Sequence, residues 1–321
     1  MQSSAMDAKA SNIFVTHLLD PEDAPVTAAI RSMTSAAKGA PRDGATRGRF
    51  DAVMEAVSPR QDVTTEEATV GGIPGIWVRP ANSRQGEAIL HLHGGWFNFG
   101  SASAYRHLIG QIAARAGSMA FVPDYRLAPE HPFPAATDDV VSCYKELAQS
   151  GIRRIAITGD SAGGNLALGL TARVAASART DGAILVGVAV LSPVTDLTLS
   201  GASYETRAEA DPLFTRRQVA DLVRSYLGGV DGKDPLASPL YGQLAGLPPV
   251  RIQVGDDELL LDDSLRYAQR AFASGVDARV DVWMGMPHGF QAQIGRLKAA
   301  TSALDAIGAF LDERLRGHEG S

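Results

Sequence analysis

From about residue 70 onward, short apolar runs alternate with longer stretches whose apolar positions recur every three or four residues. The runs at 75–79, 88–92, 119–124, 154–158, 183–191, 250–254 and 278–283 predict strands. The periodic stretches at 105–116, 138–148, 165–176, 215–227, 262–273 and 296–315 predict helices. In 105–116, for example, Leu108, Ile112 and Ala116 fall on one face. The run 183–191 is apolar throughout, the pattern of a strand covered on both sides. Regular alternation of the two periods predicts a mostly parallel central sheet with helices on both faces. Two stretches stand outside it. Residues 1–50 are polar and Ala-rich, are broken by Pro21, Pro25, Gly39, Pro41 and Gly44, and predict one or two short helices. Residues 200–241 carry one good helix, opening at Thr215 as N-cap, and no strand pattern, so they read as an insertion between sheet strands.

Composition narrows the class. A chain of 321 residues holds either two domains or one large α/β domain with an insertion. With 45% hydrophobic and 21% charged residues it is neither disordered nor fibrous. The net charge of −6 disfavours a nucleic-acid partner. Cys143 is the single cysteine, so no intrachain disulfide forms, and its helix-like setting reads as a small buried hydrophobe. The start, MQSSAMDAKASNIF, lacks the apolar run of a signal peptide, and no uncharged apolar stretch reaches the roughly 18 residues of a membrane span. A cytoplasmic protein without membrane insertion is expected.

Chemistry concentrates in a few runs. Gly159-Asp-Ser-Ala-Gly163 fits G-x-S-x-G between a predicted strand and a predicted helix, the context in which a serine sits on a strained turn above the sheet. A serine nucleophile needs a base and an acid that orients it, in the chain order Ser, acid, His on α/β-hydrolase sheets. After Ser161 only His288 and His318 remain, and His318 lies in the polar tail. His288, in Met286-Pro-His-Gly-Phe290, follows a predicted strand and is the expected base. Asp256, Asp257 and Glu258 all follow the strand at 250–254, and geometry alone does not choose among them; Asp262 and Asp263 read as first-turn charges on the next helix. The oxyanion hole is expected from Gly94, Gly95 and Trp96, with Ala162 as the second donor site. His91 and His93 share one strand face, but no third ligand follows at matching spacing, so no metal is expected and His93 reads as bracing the oxyanion loop. Asp160 reads equally as a loop brace or a solvated turn residue, Asp196 as a brace near the site, and Arg126 and Glu130 as loop-locking charges.

Taken together, His93-Gly-Gly-Trp-Phe-Asn-Phe-Gly-Ser101, Asp124-Tyr-Arg-Leu-Ala-Pro-Glu-His-Pro-Phe-Pro-Ala135, Gly159-Asp-Ser-Ala-Gly-Gly-Asn165, Ser192-Pro-Val-Thr-Asp-Leu197 and His288-Gly-Phe290 resemble the bacterial hormone-sensitive-lipase-like esterases, in motif order over residues 70–315. The resemblance implies an α/β-hydrolase fold with an α-helical cap, and hydrolysis of carboxylic esters of short or medium acyl chain without metal or organic cofactor. It implies residues 1–50 and 200–241 as the two parts of the cap, 51–199 and 242–321 as the catalytic domain, and a possible homodimer. The family's acid motif, Asp-Pro-Leu-x-Asp-[Asp/Glu], laid over 258–263, puts Glu258 in the acid position, with Asp257 as fallback. The family's third oxyanion-loop glycine is Trp96 here, which keeps an amide but reshapes the acyl side of the pocket. Trp96, Phe99 and Phe290 are the expected substrate-binding aromatics. An amidase, arylformamidase or lactonase on the same triad is the alternative within enzymes, and a non-catalytic small-molecule receptor the alternative outside them.

Overall fold

The computed structural model describes residues 13–40, 44–177 and 182–317. His318 and the first twelve residues therefore lie outside the described part. The elements run β1 (Phe14–His17), α1 (Ala24–Ser35), α2 (Gly44–Glu55), β2 (Val63–Val70), β3 (Ile73–Pro80), β4 (Glu87–Leu92), α3 (Ala102–Ala116), β5 (Met119–Pro123), α4 (Ala135–Gln149), β6 (Arg154–Asp160), α5 (Ala162–Ala175) and β7 (Ile184–Leu191). They continue with α6 (Ser203–Thr206), α7 (Arg216–Leu227), β8 (Val250–Gly255), α8 (Leu261–Ala273), β9 (Ala278–Trp283) and α9 (Lys298–Arg316).

The strands form one nine-stranded sheet in the order β1-β9-β8-β7-β6-β4-β5-β3-β2. β3 pairs antiparallel with both β2 and β5, and the other neighbours among the described strands pair in parallel. Side chains alternate across the pleat. On β4, Ile89 joins the core under α3 and α9, with Leu108, Ile112, Leu304 and Leu311. Leu90 and Leu92 join the core under α4, α5 and α8, with Val140, Leu166 and Tyr267. Each of these side chains is at most 3% exposed, worth about 1.5–3 kcal/mol apiece. The predicted helix at Thr215 is capped as expected: the Thr215 hydroxyl accepts from the Gln218 N–H while the Gln218 side chain accepts from the Thr215 N–H.

Two strands depart from the sequence expectation. Residues 14–17, expected to belong wholly to a cap, pair in parallel with β9 at the sheet edge. β2 pairs with β3 at the other edge, although 63–70 shows no apolar alternation. Its inner positions are largely solvent-facing, so polar Thr and Glu are tolerated there. The helix expected at 165–176 opens three residues earlier, directly after Ser161.

The order β6, β7, β8, β9 brings the ends of four adjacent parallel strands to one rim of the sheet. Ser161, Ser192, Glu258 and His288 all follow these strand ends. This is the crevice where open α/β sheets place their ligands.

Candidate active site

Ser161 occupies the turn between β6 and α5 with φ 54° and ψ −119°, a conformation that costs a non-glycine residue about 1–3 kcal/mol. Its N–H donates to the Leu191 carbonyl at 2.8 Å, and its carbonyl accepts from the Val194 N–H at 3.0 Å. The turn passes so close to β4 that a side chain at Gly163 would overlap the Leu92 carbonyl. That close approach, together with the φ of Ser161, is the physical content of the G-x-S-x-G spacing.

The expected acid and the expected base meet. His288 Nδ1–H donates to Glu258 Oε2 at 2.7 Å, and the Glu258 side chain is fully buried. Its other oxygen accepts from the Ser192 hydroxyl and from the Gly255 N–H, both at 2.7 Å. The two donors other than His288 hold the carboxylate with its second oxygen toward the imidazole. Asp257 does not reach His288: its carboxylate is taken by Arg31 of α1, and its N–H donates to the Met286 carbonyl. Asp256 accepts from the Gly285 N–H at 2.5 Å and braces the turn before His288. Burial on its own lowers the pKa of the His288 imidazolium. The charge and hydrogen bond of Glu258, with the farther carboxylates of Asp211 and Asp160, outweigh that, and the net direction is upward.

The loop after β4 turns through Gly95, Trp96 and Phe97, all at positive φ. The amides of Gly95 and Trp96 have no hydrogen-bond acceptor among the described residues, and neither does that of Ala162 at the start of α5. Gly94 differs from expectation. Its N–H already donates to Asp160 Oδ1 at 3.0 Å and lies 3.1 Å from the Tyr105 hydroxyl, so it is not available to an oxyanion. Tyr105 also donates to Asp160 Oδ2 at 2.8 Å. Asp160 is therefore a brace between the serine turn and the oxyanion loop, and Tyr105 is a partner that its helical setting did not reveal. His93 has the expected bracing role: Nδ1–H donates to the Gly94 carbonyl at 2.8 Å, its ring stacks on Tyr125, and burial lowers its pKa. His91 is turned to Thr158 at 2.9 Å.

Of the three expected substrate-binding aromatics, Trp96 stays nearest the chemistry. Its ring meets Phe214 edge-on at 5.6 Å, and Phe214 meets the His288 ring edge-on at 5.6 Å. Phe99 lines a cavity of about 570 Å³ beside the site, with Arg47, Glu130, Thr215 and Leu222; none of Ser161, Glu258 and His288 lies in its wall. Phe290 is corrected: it is 1% exposed and packs on Trp283 with Met286, Leu297 and Ile30, a small core beneath α1. Its aromatic bulk completes that core instead of facing a ligand.

The insertion and the N-terminal helices are tied to this site. Asn165 Nδ2 donates to the Ala237 carbonyl at 2.8 Å, and Phe97 stacks on Tyr226 of α7 at 3.7 Å. Asp196 accepts from Thr198, Ser200, Tyr241 and Arg266, and so braces the start of the insertion. Asp262 and Asp263 do more than charge the first turn of α8. Asp262 accepts from the Ser203 N–H and Asp263 from the N–H groups of Thr195 and Asp196. Ser192, Phe214 and Asp211 were not foreseen. For Asp211 a local signal existed, since Asp-Pro starting a turn favours side-chain acceptance from the following amides. Asp211 does accept from the N–H groups of Leu213 and Phe214.

A serine on a strained strand-to-helix turn shares one rim of an α/β sheet with a buried Glu–His pair, whose two residues follow the second and third strands from that serine. Comparison with known proteins sharpens this. A family model described as alpha/beta hydrolase fold matches residues 89–292. An acetyl-hydrolase of Streptomyces hygroscopicus is 36% identical over 82% of this chain and 87% of its own. A solved esterase from the bacterial hormone-sensitive lipase family is 37% identical, with a TM-score of 0.83 over 92% of this chain and 99% of its own. The esterase EstE5, solved after a soak with p-nitrophenyl butyrate, is 35% identical, with a TM-score of 0.82 over 93% of this chain and 100% of its own. The chain belongs to the α/β-hydrolase family and, within it, to the bacterial hormone-sensitive-lipase group of esterases. Among the described residues no helix is long and apolar enough to cross a membrane.

Proposed function

We propose that the protein is a serine carboxylesterase for esters of short acyl chain, working through an acyl-enzyme. The observation that carries this is the buried Glu258–His288 pair at 2.7 Å, held on the same sheet rim as the strained Ser161 turn. His288 Nε2 takes the Ser161 proton as Oγ attacks the ester carbonyl carbon. The oxyanion that forms is met by the N–H groups of Gly95, Trp96 and Ala162. Glu258 keeps the proton on Nδ1, so that Nε2 is the basic nitrogen, and stabilises the imidazolium. His288 then gives its proton to the departing alkoxide, and the C–O bond of the ester breaks. A water, deprotonated by His288, attacks the acyl-Ser161 carbonyl, and the acid leaves as Ser161 regains its proton.

The short-chain preference rests on Trp96, which stands at the third glycine of the oxyanion-loop motif in the family this sequence resembles, and on Phe214 packed between Trp96 and His288. The acetyl-hydrolase and the relative soaked with p-nitrophenyl butyrate point the same way. Helices α1, α2 and the insertion 200–241 are read as the cap over Ser161, excluding water during acyl transfer. The test is a p-nitrophenyl ester series with Ser161→Ala and a fluorophosphonate probe. Turnover should peak at short chains, and the variant should neither turn over nor be labelled. Activity above about a thousandth of the parent in Ser161→Ala would remove serine from the mechanism.

A further inference from the structure

The insertion reaches past the pocket to the acid itself. Leu259, the residue after Glu258, has both its backbone groups held by the insertion. Its N–H donates to Asp211 Oδ2 at 2.9 Å, and its carbonyl accepts from the Ser203 hydroxyl at 2.5 Å. Ser203 is further locked, since its hydroxyl also accepts from the Asp262 N–H at 3.1 Å. The other oxygen of Asp211 accepts from the N–H groups of Leu213 at 2.7 Å and Phe214 at 2.9 Å, and so sets the ring that lies against His288. Asp211 is 1% exposed, and all three of these bonds come from backbone amides. An ionised carboxylate accepts all three; an amide in its place turns a donor toward one of them.

We propose that Asp211 is a positioning residue for the Glu258–His288 pair, holding the acid's backbone with one oxygen and the aromatic wall of the base with the other. The insertion is then part of the catalytic scaffold and not only a lid. This rests on the Ser161–Glu258–His288 reading above. Asp211 also acts by charge. The groups that bear on His288 are Glu258 from the loop after β8, Asp211 from the insertion and Asp160 from the serine turn, all of which favour the imidazolium. The cation that α1 brings to this cluster, Arg31, is already engaged by Asp257.

The experiment is Asp211→Asn, with kcat and KM measured across pH. The expected result is a kcat lower by roughly 10- to 100-fold, the scale of a misplacement of about an ångström, at nearly unchanged KM. The acidic limb of kcat/KM should also move to lower pH, because one anion near the imidazole is gone. Ser203→Ala is the second variant: it releases Leu259 while leaving every carboxylate in place, and should lower kcat without moving the limb. Titrating His288 by 15N NMR in a Ser161→Ala background reads the Asp211–His288 coupling even if ester turnover is not the activity. A lower midpoint in the Asp211→Asn, Ser161→Ala double variant supports the proposal. Unchanged kcat in both single variants, or a change confined to KM, overturns it, as does an unchanged His288 midpoint.

Discussion

At the scale of single residues, the choice between neighbouring carboxylates is decided by what each side chain can touch. Asp257 and Glu258 are adjacent, yet one pairs with Arg31 on α1 and the other with His288. The expected outcome is asymmetric. Glu258→Gln presents an amide where the imidazole needs an acceptor, which favours the wrong tautomer, and kcat should fall by about 10⁴-fold. Asp257→Asn disturbs only a partly exposed ion pair worth about 1 kcal/mol, and kcat should change by less than about tenfold. A larger loss in Asp257→Asn reverses the assignment. The sign of the pH dependence follows from the same pair. In the proposed mechanism His288 works as neutral imidazole, and its net pKa is raised, so kcat/KM in the parent should fall as pH drops through a value above the ordinary 6.5. A rate profile with its acidic midpoint below that value contradicts the geometry.

At the scale of elements, the sequence was most legible where burial forces a period. Strands β4 to β9 lie inside the sheet and read as apolar runs, and the helices against them read at their 3.6 spacing. The edge strands β1 and β2 did not read, because one is four residues long and the other faces solvent along much of its length. The motif order singled out Ser161 and His288 by position alone, and the structure places both on one rim of the sheet. Glu258 needed the family register, and Gly94 was misread because only the folded chain brings Asp160 and Tyr105 to its amide. That brace predicts that Asp160→Ala, which frees the loop while leaving the amides proposed for the oxyanion, Gly95, Trp96 and Ala162, in the chain, lowers kcat by about 100-fold. Tyr105→Phe, which leaves the Asp160 bond to Gly94 intact, should cost far less in the same ester assay.

The start of α8 makes a second prediction at this scale. Asp263 is buried and accepts two amides on one oxygen, while burial raises its carboxyl to about 7. Its folded pKa thus exceeds the unfolded one, so the folded chain holds the proton more tightly. The stability this contributes is full below about pH 4 and is lost as pH rises toward 7. Asp263→Asn removes that titration. Urea midpoints taken at about pH 5 and pH 8 should differ less in the variant than in the parent; an equal or larger difference shows that Asp263 does not titrate in that window.

At the scale of the whole molecule, the N-terminal segment ties the insertion to the sheet layer. Asp23, just before α1, accepts from the N–H groups of Lys298 and Ala299 and caps the last helix of the sheet layer. Further along, Arg31 donates to the Ala210 carbonyl of the insertion and pairs with Asp257, and Lys38 donates to the carbonyls of Ala208 and Asp211. One helix thus holds both the wall that carries Phe214 and the loop that carries Glu258. Arg31→Ala releases the two together. If the cap is a pre-set wall, longer acyl chains should gain kcat/KM relative to acetyl in this variant, while the acetyl kcat falls only modestly. Comparing Arg31→Ala, Asp257→Ala and the double variant separates the routes. The ion pair alone is worth about 1 kcal/mol, so a coupling of about that size should show in thermal stability. An acyl-chain shift that appears whenever Arg31 is removed, and not when Asp257 alone is removed, assigns specificity to the Ala210 contact. An acyl profile that moves equally in Asp257→Ala assigns it instead to the loop of the acid, and places the selectivity of the enzyme on its sheet rather than its cap.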